Sequence, residues 1–114
     1  RYLHASAAGK LFLSQLDDFL SVRPERTLKK LTPRTMTTPD SVEDDLKEVR
    51  TRGYAVQVDE LAEGRCCLAV PIALPGSAPR GAVCLGGAAE RFDTITTHVP
   101  AAQQAAAQLA PLLF

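Results

Sequence analysis

The stretch from Gly53 to Gly87 constrains the fold most, because it holds three apolar runs separated by turn residues. The runs cover residues 54–60, 66–74 and 80–88; Gly64 lies in the first connection and two prolines in the second. Turn residues between β-branched and apolar runs are typical of antiparallel neighbours. The pattern therefore predicts a three-stranded meander with residues 66–74 in the middle.

The two faces of this predicted sheet differ in size. Side chains alternate along a strand, so each face collects every second residue. The bulky face consists of Val56, Val58, Leu68, Val70, Ile72, Val83 and Leu85. The small face consists of Gln57, Cys67, Ala69, Pro71, Ala82, Cys84 and Gly86. A face of small residues admits a close-packed helix or leaves room for a ligand, and the pattern leaves both open.

Helical patterns flank the predicted sheet on both sides in the sequence. Ser6 is expected to cap a first helix, and Thr38 or Asp40 to cap a helix over 39–52 whose charges form a solvated face. We also expect a helical hairpin at 17–31, a threonine-rich loop at 32–39, a polar connection at 90–97, and a helix at 98–113 that Pro111 bends or ends. This order predicts an α+β domain with helices packed on a small antiparallel sheet.

The start of the first helix is a candidate contact for a ligand. Gly9 and the alanines before it allow another group to approach the backbone, and the free N–H groups of a helix start attract anions. Close packing of this helix on the small face explains the same residues, and the two interpretations can both hold.

Charge and cysteine content exclude several classes of function. The 114 residues include 13 basic and 13 acidic side chains, so no charge excess favours nucleic-acid binding. No apolar run is long enough to span a membrane, so no membrane partner is expected. Three cysteines, of which Cys66 and Cys67 are adjacent, fit neither a disulfide framework nor a zinc-ligand spacing. We therefore expect a cytoplasmic domain without a metal site or cofactor.

Several segments resemble the effector domain of the IclR-type bacterial transcription regulators. The string from His4 to Lys10 is similar to the start of that domain's first helix, residues 46–55 to its helix-to-strand passage, and residues 59–72 to its central strands. The resemblance covers nearly the whole chain and implies one partial effector-binding domain over residues 1–114. It implies a GAF-like or profilin-like fold, a small organic acid or aromatic effector, and assembly into dimers or tetramers.

The resemblance also implies which residues contact the effector. The helix start would contribute the backbone N–H groups of Ala7 and Ala8. The small face would contribute Gln57, Cys67, Cys84 and Gly86. Family members that bind small hydroxylated or keto acids tend to carry an acid at the position of Gln57 and serines at those of Cys84 and Gly86. This sequence departs at all three, so we expect a larger or more apolar ligand.

The resemblance further implies parts of the protein beyond these residues. A winged helix-turn-helix domain upstream would be the only part that contacts DNA. The first strands of the effector sheet would also lie upstream, and one of them would pair with the strand at 80–88. Because the chain begins at Arg1 without an initiator methionine, we expect it to be a fragment.

Two other functions remain open from the sequence. A cysteine-dependent enzyme would need a histidine beside its thiol, but His4 and His98 lie in opposite terminal segments, and we expect no catalytic residue. A ligand-free dimerisation module would use the alanine-rich last helix as its interface. Such a module would have its small face filled by side chains, with no cavity.

Overall fold

Three antiparallel strands form the sheet in the computed structural model, which describes residues 2–16, 18–22 and 27–114. The strands are β1 (Ala55–Val58), β2 (Arg65–Ile72) and β3 (Gly81–Ala88), with β2 in the middle. The predicted meander is confirmed, although β1 and β2 end two residues earlier than predicted. β1 stops because Asp59 adopts a positive φ of 62°, which turns the chain out of the strand.

The register places the predicted bulky and small residues on separate faces. Leu68 pairs with Val56 and Leu85, and Ala69 pairs with Ala55 and Cys84. The bulky face packs against the last helix, α5 (Val99–Leu113), whose buried residues form one cluster with the strands. This cluster contains Leu68, Val70, Ile72, Val99, Ala102, Ala106 and Ala110.

Two helices cover part of the small face, α1 (Ala7–Leu13) and α3 (Pro39–Arg52). The Ser6 hydroxyl caps α1 by accepting a hydrogen bond from the Gly9 N–H at 3.0 Å. Thr38, rather than Asp40, caps α3, and Gly53 ends it with a φ of 90°. These caps confirm the predicted helix boundaries on this side of the sheet.

The predicted helical hairpin forms only in part. A short helix, α2 (Phe19–Val22), is present, but residues 28–31 are not helical, so the prediction is wrong there. The Leu28 N–H donates to the Thr37 carbonyl at 2.7 Å, and this contact across the loop replaces a helical bond. Asp17 and Pro24, the predicted first-turn residues of the two helices, lie outside the described residues.

The predicted polar connection after β3 is helical instead. A 3-10 turn at Ala89–Arg91 leads into α4 (Phe92–Thr96), and Ile95 of α4 packs against the cluster on the bulky face. Partial burial of the Ile95 side chain gives the segment a reason to fold that its composition does not reveal. Pro111 lies in the last turn of α5, which ends two residues later at Leu113.

The architecture is therefore α+β, as predicted, with α1 and α3 on the small face and α5 on the bulky face. β3 is an edge strand of the described sheet. In the parts of the chain that the structure describes, no helix combines the length and the apolar character needed to cross a membrane.

Candidate functional site

Four of the six predicted site residues lie together on the small face. Gln57 pairs with Cys67, and Cys67 pairs with Gly86, so these three residues form one row across the sheet. Cys84 lies in the next row, opposite Ala69. Residues two apart on a strand share a face, so the Cys84 side chain points to the same side as Gly86.

The other two predicted residues, Ala7 and Ala8, lie where α1 packs on this face. Ala7 is 1% exposed and forms a buried cluster with Leu11, Ala55 and Ala69, while Ala8 is half-buried beside them. Close packing of the first helix on the small face is therefore confirmed for this part of the sheet.

Gly9 is required by the chain itself rather than by a ligand. A Cβ at this position would lie 2.5 Å from the Leu3 Cα and would also contact the Leu3 carbonyl oxygen. The turn that precedes α1 therefore occupies the space that the glycine leaves free.

The part of the small face on β3 is open. Cys84 and Gly86 are exposed and Cys67 is partly buried, so the face is not filled by side chains as a ligand-free module would require. A groove of about 660 Å³ runs along the outer edge of β3, between that strand and α5. Most of its lining belongs to the bulky face and the helices, namely Val83, Leu85, Ile95, His98, Ala101, Ala102 and Ala105, with Cys84 and Gly86 at the strand edge. Ala7, Ala8, Gln57 and Cys67 do not belong to this lining. The small face is thus covered by α1 at one end and exposed at β3 at the other, and the groove lies on the α5 side of that strand.

Gln57 has a structural task that the sequence pattern did not reveal. Its side chain is buried, and its Oε1 accepts hydrogen bonds from the N–H groups of Glu60 at 3.0 Å and Leu61 at 3.3 Å. These bonds hold the connection between β1 and β2, so the Gln57 oxygen is already committed. Of its polar groups, the amide nitrogen is the one left for a ligand.

A buried lysine at the closed end also escaped the sequence analysis. The Nζ of Lys10 lies 2.6 Å from the Glu60 Oε1 and 2.7 Å from the Asp45 Oδ2, and it donates to the Val56 carbonyl at 3.1 Å. The contact between Lys10 and the Asp45 carboxylate is an ion pair. Asp45 is thus an exception to the solvated face expected for the helix over 39–52.

This lysine ties α1 to α3 and to the end of β1. Burial raises the pKa of Glu60 above its usual value, although the charge and hydrogen bond of Lys10 act to lower it. A sequence signal existed: Lys10 lies three residues after the buried Ala7 and four before the buried Ser14, on the inward stripe of the helix. The ion-pair network holds the start of α1 against the sheet, and none of its members lies on β3.

The cysteines are distributed as strand alternation predicts. Cys66 is buried, on the face opposite Cys67, and donates to the Ala88 carbonyl at 3.4 Å. Burial raises the pKa of Cys67 to about 11, so its thiol stays protonated at neutral pH, unlike a catalytic nucleophile. His98 shares the groove with Cys84, but α5, at whose start it lies, packs on the other face of the sheet. Within the described ranges, no three His, Cys, Asp or Glu side chains form a group that could hold a metal ion.

Comparison with known proteins agrees with this architecture. Residues 1–110 match the family described as the C-terminal region of the bacterial transcriptional regulator IclR. Among solved structures, the inducer-binding domain of the transcription factor PobR from Acinetobacter superposes with a TM-score of 0.84 at 26% identity. That structure is a double mutant in complex with 3-hydroxybenzoic acid, and the match covers 95% of this chain and 65% of that one.

Two relatives of known name are similar in sequence. The glycerol operon regulatory protein of Streptomyces coelicolor is 43% identical over 91 residues, which are 79% of this chain and 35% of the relative. The HTH-type transcriptional regulator BhcR of Paracoccus denitrificans is 38% identical over 82 residues, 69% of this chain and 29% of the relative. The chain thus spans about a third of the length of these relatives. Their names confirm the expectation of a regulatory rather than an enzymatic domain.

Proposed function

Because the chain belongs to the IclR family of bacterial transcription regulators and matches its C-terminal region, we propose that it senses a small-molecule effector. The effector would lie on the small face of the sheet, between the start of α1 and β3. Its contacts would be the predicted residues Ala7, Ala8, Gln57, Cys67, Cys84 and Gly86.

One observation carries this proposal: the small face is covered at one end and open at the other. α1 buries Ala55 and Ala69, whereas Cys84 and Gly86 are exposed in the next positions of the same face. Small-molecule sites are typically concave, mostly apolar and provided with a few polar groups, and an exposed stretch of small residues beside a packed helix leaves room for such a ligand. The amide nitrogen of Gln57 and the thiols of Cys67 and Cys84 would be those polar groups.

The chemistry of the face favours an aromatic or larger organic acid over a very small polar one. Cysteine and glycine offer weak hydrogen bonds or none, so most of the affinity would come from apolar contact. The ligand's carboxylate would meet the backbone N–H groups of Ala7 and Ala8. The PobR domain, bound to a hydroxybenzoic acid, supports this ligand class.

The test is a titration of the full-length protein with a panel of aromatic and aliphatic acids, followed by calorimetry and by thermal shift. A ligand that binds only the folded state raises the melting temperature by mass action. The critical variants are Gly86→Ala and Gly86→Val, which add one and three carbon atoms to the open end of the face. A Cβ at Gly86 would lie 3.4 Å from the Cys66 carbonyl and 4.0 Å from the Cys67 sulfur, so the strand itself accommodates it.

Gly81→Ala is the matched control, because Gly81 lies on the same strand but on the bulky face. A Cβ there would lie 3.6 Å from the Ile72 Cδ1, an ordinary contact. We expect Gly86→Val to weaken binding about tenfold or more, equal to at least about 1.4 kcal/mol. Gly86→Ala should have a smaller effect and Gly81→Ala none. Unchanged affinity in Gly86→Val would place the ligand elsewhere.

Control of transcription would follow from the same site in the whole protein. We propose that a DNA-binding region outside these 114 residues, of the helix-turn-helix type named in BhcR, responds to the bound effector in the cytoplasm. We also propose dimers or tetramers. The exposed leucines of α5 support this, since Leu112 is 80% and Leu113 56% exposed.

A further inference from the structure

Two of the three thiols are neighbours on the small face. Cys67 of β2 pairs with Gly86 of β3, and Cys84 lies two residues before Gly86 on the same face. The Cys67 sulfur is 4.0 Å from the position that a Cβ would take at Gly86, so it leans toward β3. Because the glycine has no side chain, no other group of that strand separates the two thiols.

The pKa of Cys67 agrees with this proximity. Burial is the main cause of its rise, and the nearby Cys84 thiol contributes to the same rise. Cys84 is exposed, so a reagent in solution can reach this pair. Cys66 lies on the opposite face and cannot take part.

The spacing of the pair favours a bridging atom over a disulfide bond. Diagonal neighbours on antiparallel strands lie roughly 7–8 Å apart, with the Cβ atoms somewhat closer. A disulfide bond requires Cβ atoms about 3.8 Å apart, so the strands would have to shift. A single atom bonded to both sulfurs, each at about 2.3 Å as in zinc thiolates, can join two cysteines whose Cβ atoms lie farther apart than a disulfide bond allows.

We propose that Cys67 and Cys84 form a dithiol site that captures trivalent arsenic compounds. Trivalent arsenic is soft and thiophilic, and an organic arsenic(III) dihydroxide needs only two sulfur atoms, since its carbon substituent is the third ligand. The proposal rests on the proposed ligand face, where both thiols lie. A bound arsenical would occupy space that the organic acid uses.

The capture step balances without an oxidant and without net release of protons. Two As–S bonds form and two As–O bonds break, and each thiol proton leaves with one hydroxyl group as water. Arsenic remains trivalent, and both sulfurs keep their oxidation state. The high pKa of Cys67 therefore imposes no proton cost on the product. A divalent ion such as zinc would have to release both protons and would find two of its usual four ligands.

The test uses phenylarsine oxide, the anhydride of such a dihydroxide, with the reduced full-length protein. Intact mass and peptide mapping would identify the adduct, and competition with an excess of a monothiol would measure how firmly it is held. The variants are Cys67→Ser and Cys84→Ser, with Cys66→Ser as the matched control on the other face. Serine replaces each thiol with little change in volume, and circular dichroism checks the fold.

We expect the adduct to bridge Cys67 and Cys84 in the unaltered protein and in Cys66→Ser. Loss of either bridging thiol should weaken retention at least about 100-fold, the gain that a second linked ligand supplies. If Cys67→Ser does not fold, the exposed position 84 still decides the question. Equal retention in Cys84→Ser, or an adduct mapped to Cys66, would overturn the proposal.

Calorimetry with an organic acid on the same preparations separates this proposal from the proposed function. An adduct on Cys67 and Cys84 in a protein that binds no acid supports the dithiol site and contradicts the effector site. Acid binding without that adduct contradicts the dithiol site alone. Acid binding that the adduct blocks supports both, because the two ligands then compete for one face.

Discussion

Replacement of Lys10 by methionine tests what holds the start of α1 on the sheet. The side chain of Lys10 is 1% exposed, and those of its partners Asp45 and Glu60 are 16% and 12% exposed. Methionine fills a similar volume but leaves two carboxylates without their cation. Loss of one partner from a buried ion pair costs about 3–5 kcal/mol. Because water reaches part of both carboxylates, we expect the lower end, about 3 kcal/mol.

The cost of Lys10→Met should depend on pH in a defined direction. Burial raises the pKa of Glu60 from 4.5, and Lys10 acts against that rise. An acid with a raised pKa binds more protons in the folded state, so stability falls as pH increases from about 4.5 through the folded-state value. Without Lys10 this pKa rises further. The loss of stability should therefore be larger at pH 7 than at pH 5.

Urea unfolding followed by circular dichroism measures both effects. Lys47→Met is the matched control, because Lys47 is exposed on α3 and should change stability by no more than about 0.5 kcal/mol. Adding Asp45→Asn and Glu60→Gln to Lys10→Met removes the unpaired charges and should restore part of the loss. A cost below about 1 kcal/mol for Lys10→Met, or a loss independent of pH, would refute the reasoning.

Four further results are expected. Gln57→Asp and Cys84→Ser should each shift ligand preference, measured by calorimetry, toward smaller and more polar acids, and unchanged preference in both variants would contradict the site. Gln57→Asp should also lower the free energy of unfolding, because the Gln57 Oε1 accepts hydrogen bonds from two backbone N–H groups. Thr35→Val should cost at least about 2 kcal/mol in urea unfolding, since the Thr35 hydroxyl bonds Leu31, Thr32 and Glu60, whereas the exposed Thr51→Val should cost little. In a gel shift the 114-residue chain should bind DNA weakly and with salt sensitivity, and a tight, sequence-selective complex would oppose this. The outer edge of β3 should pair with another strand of the protein or of a second copy. Strong hydrogen-exchange protection along β3 in the 114-residue chain, measured while that chain is strictly monomeric, would contradict this prediction.

The sequence predicted the elements whose causes are local. Alternation within 54–88 determined which residues share a face, and the observed register agrees for both strand pairs. The caps at Ser6 and Thr38 depend on side chains within three residues of the helix start, and the positive φ at Gly53 on the absence of a side chain there. Alternation alone placed four of the six proposed contacts on the small face, and the resemblance selected them from its seven residues.

The sequence did not predict contacts between distant segments. Lys10 meets Asp45 and Glu60 across 35 and 50 residues, and no local pattern encodes those distances. Thr32 and Thr35 donate to the carbonyl groups of residues 59 and 60, which draws the loop onto the end of β1. That docking explains why residues 28–31 extend along the loop instead of forming the predicted helix.

The two ends of the small face therefore differ in physical character. At the α1 end, the Ser6 hydroxyl, the Gln57 oxygen and the Lys10 ammonium are engaged by the protein. At the β3 end, Cys84 and Gly86 are exposed and only weakly polar. Movement at the α1 end would break several buried bonds, whereas the β3 end can receive a group without that cost. A ligand that enters along β3 and reaches α1 would thus contact a rigid helix start, and its binding energy would depend mainly on how well it fills the open end.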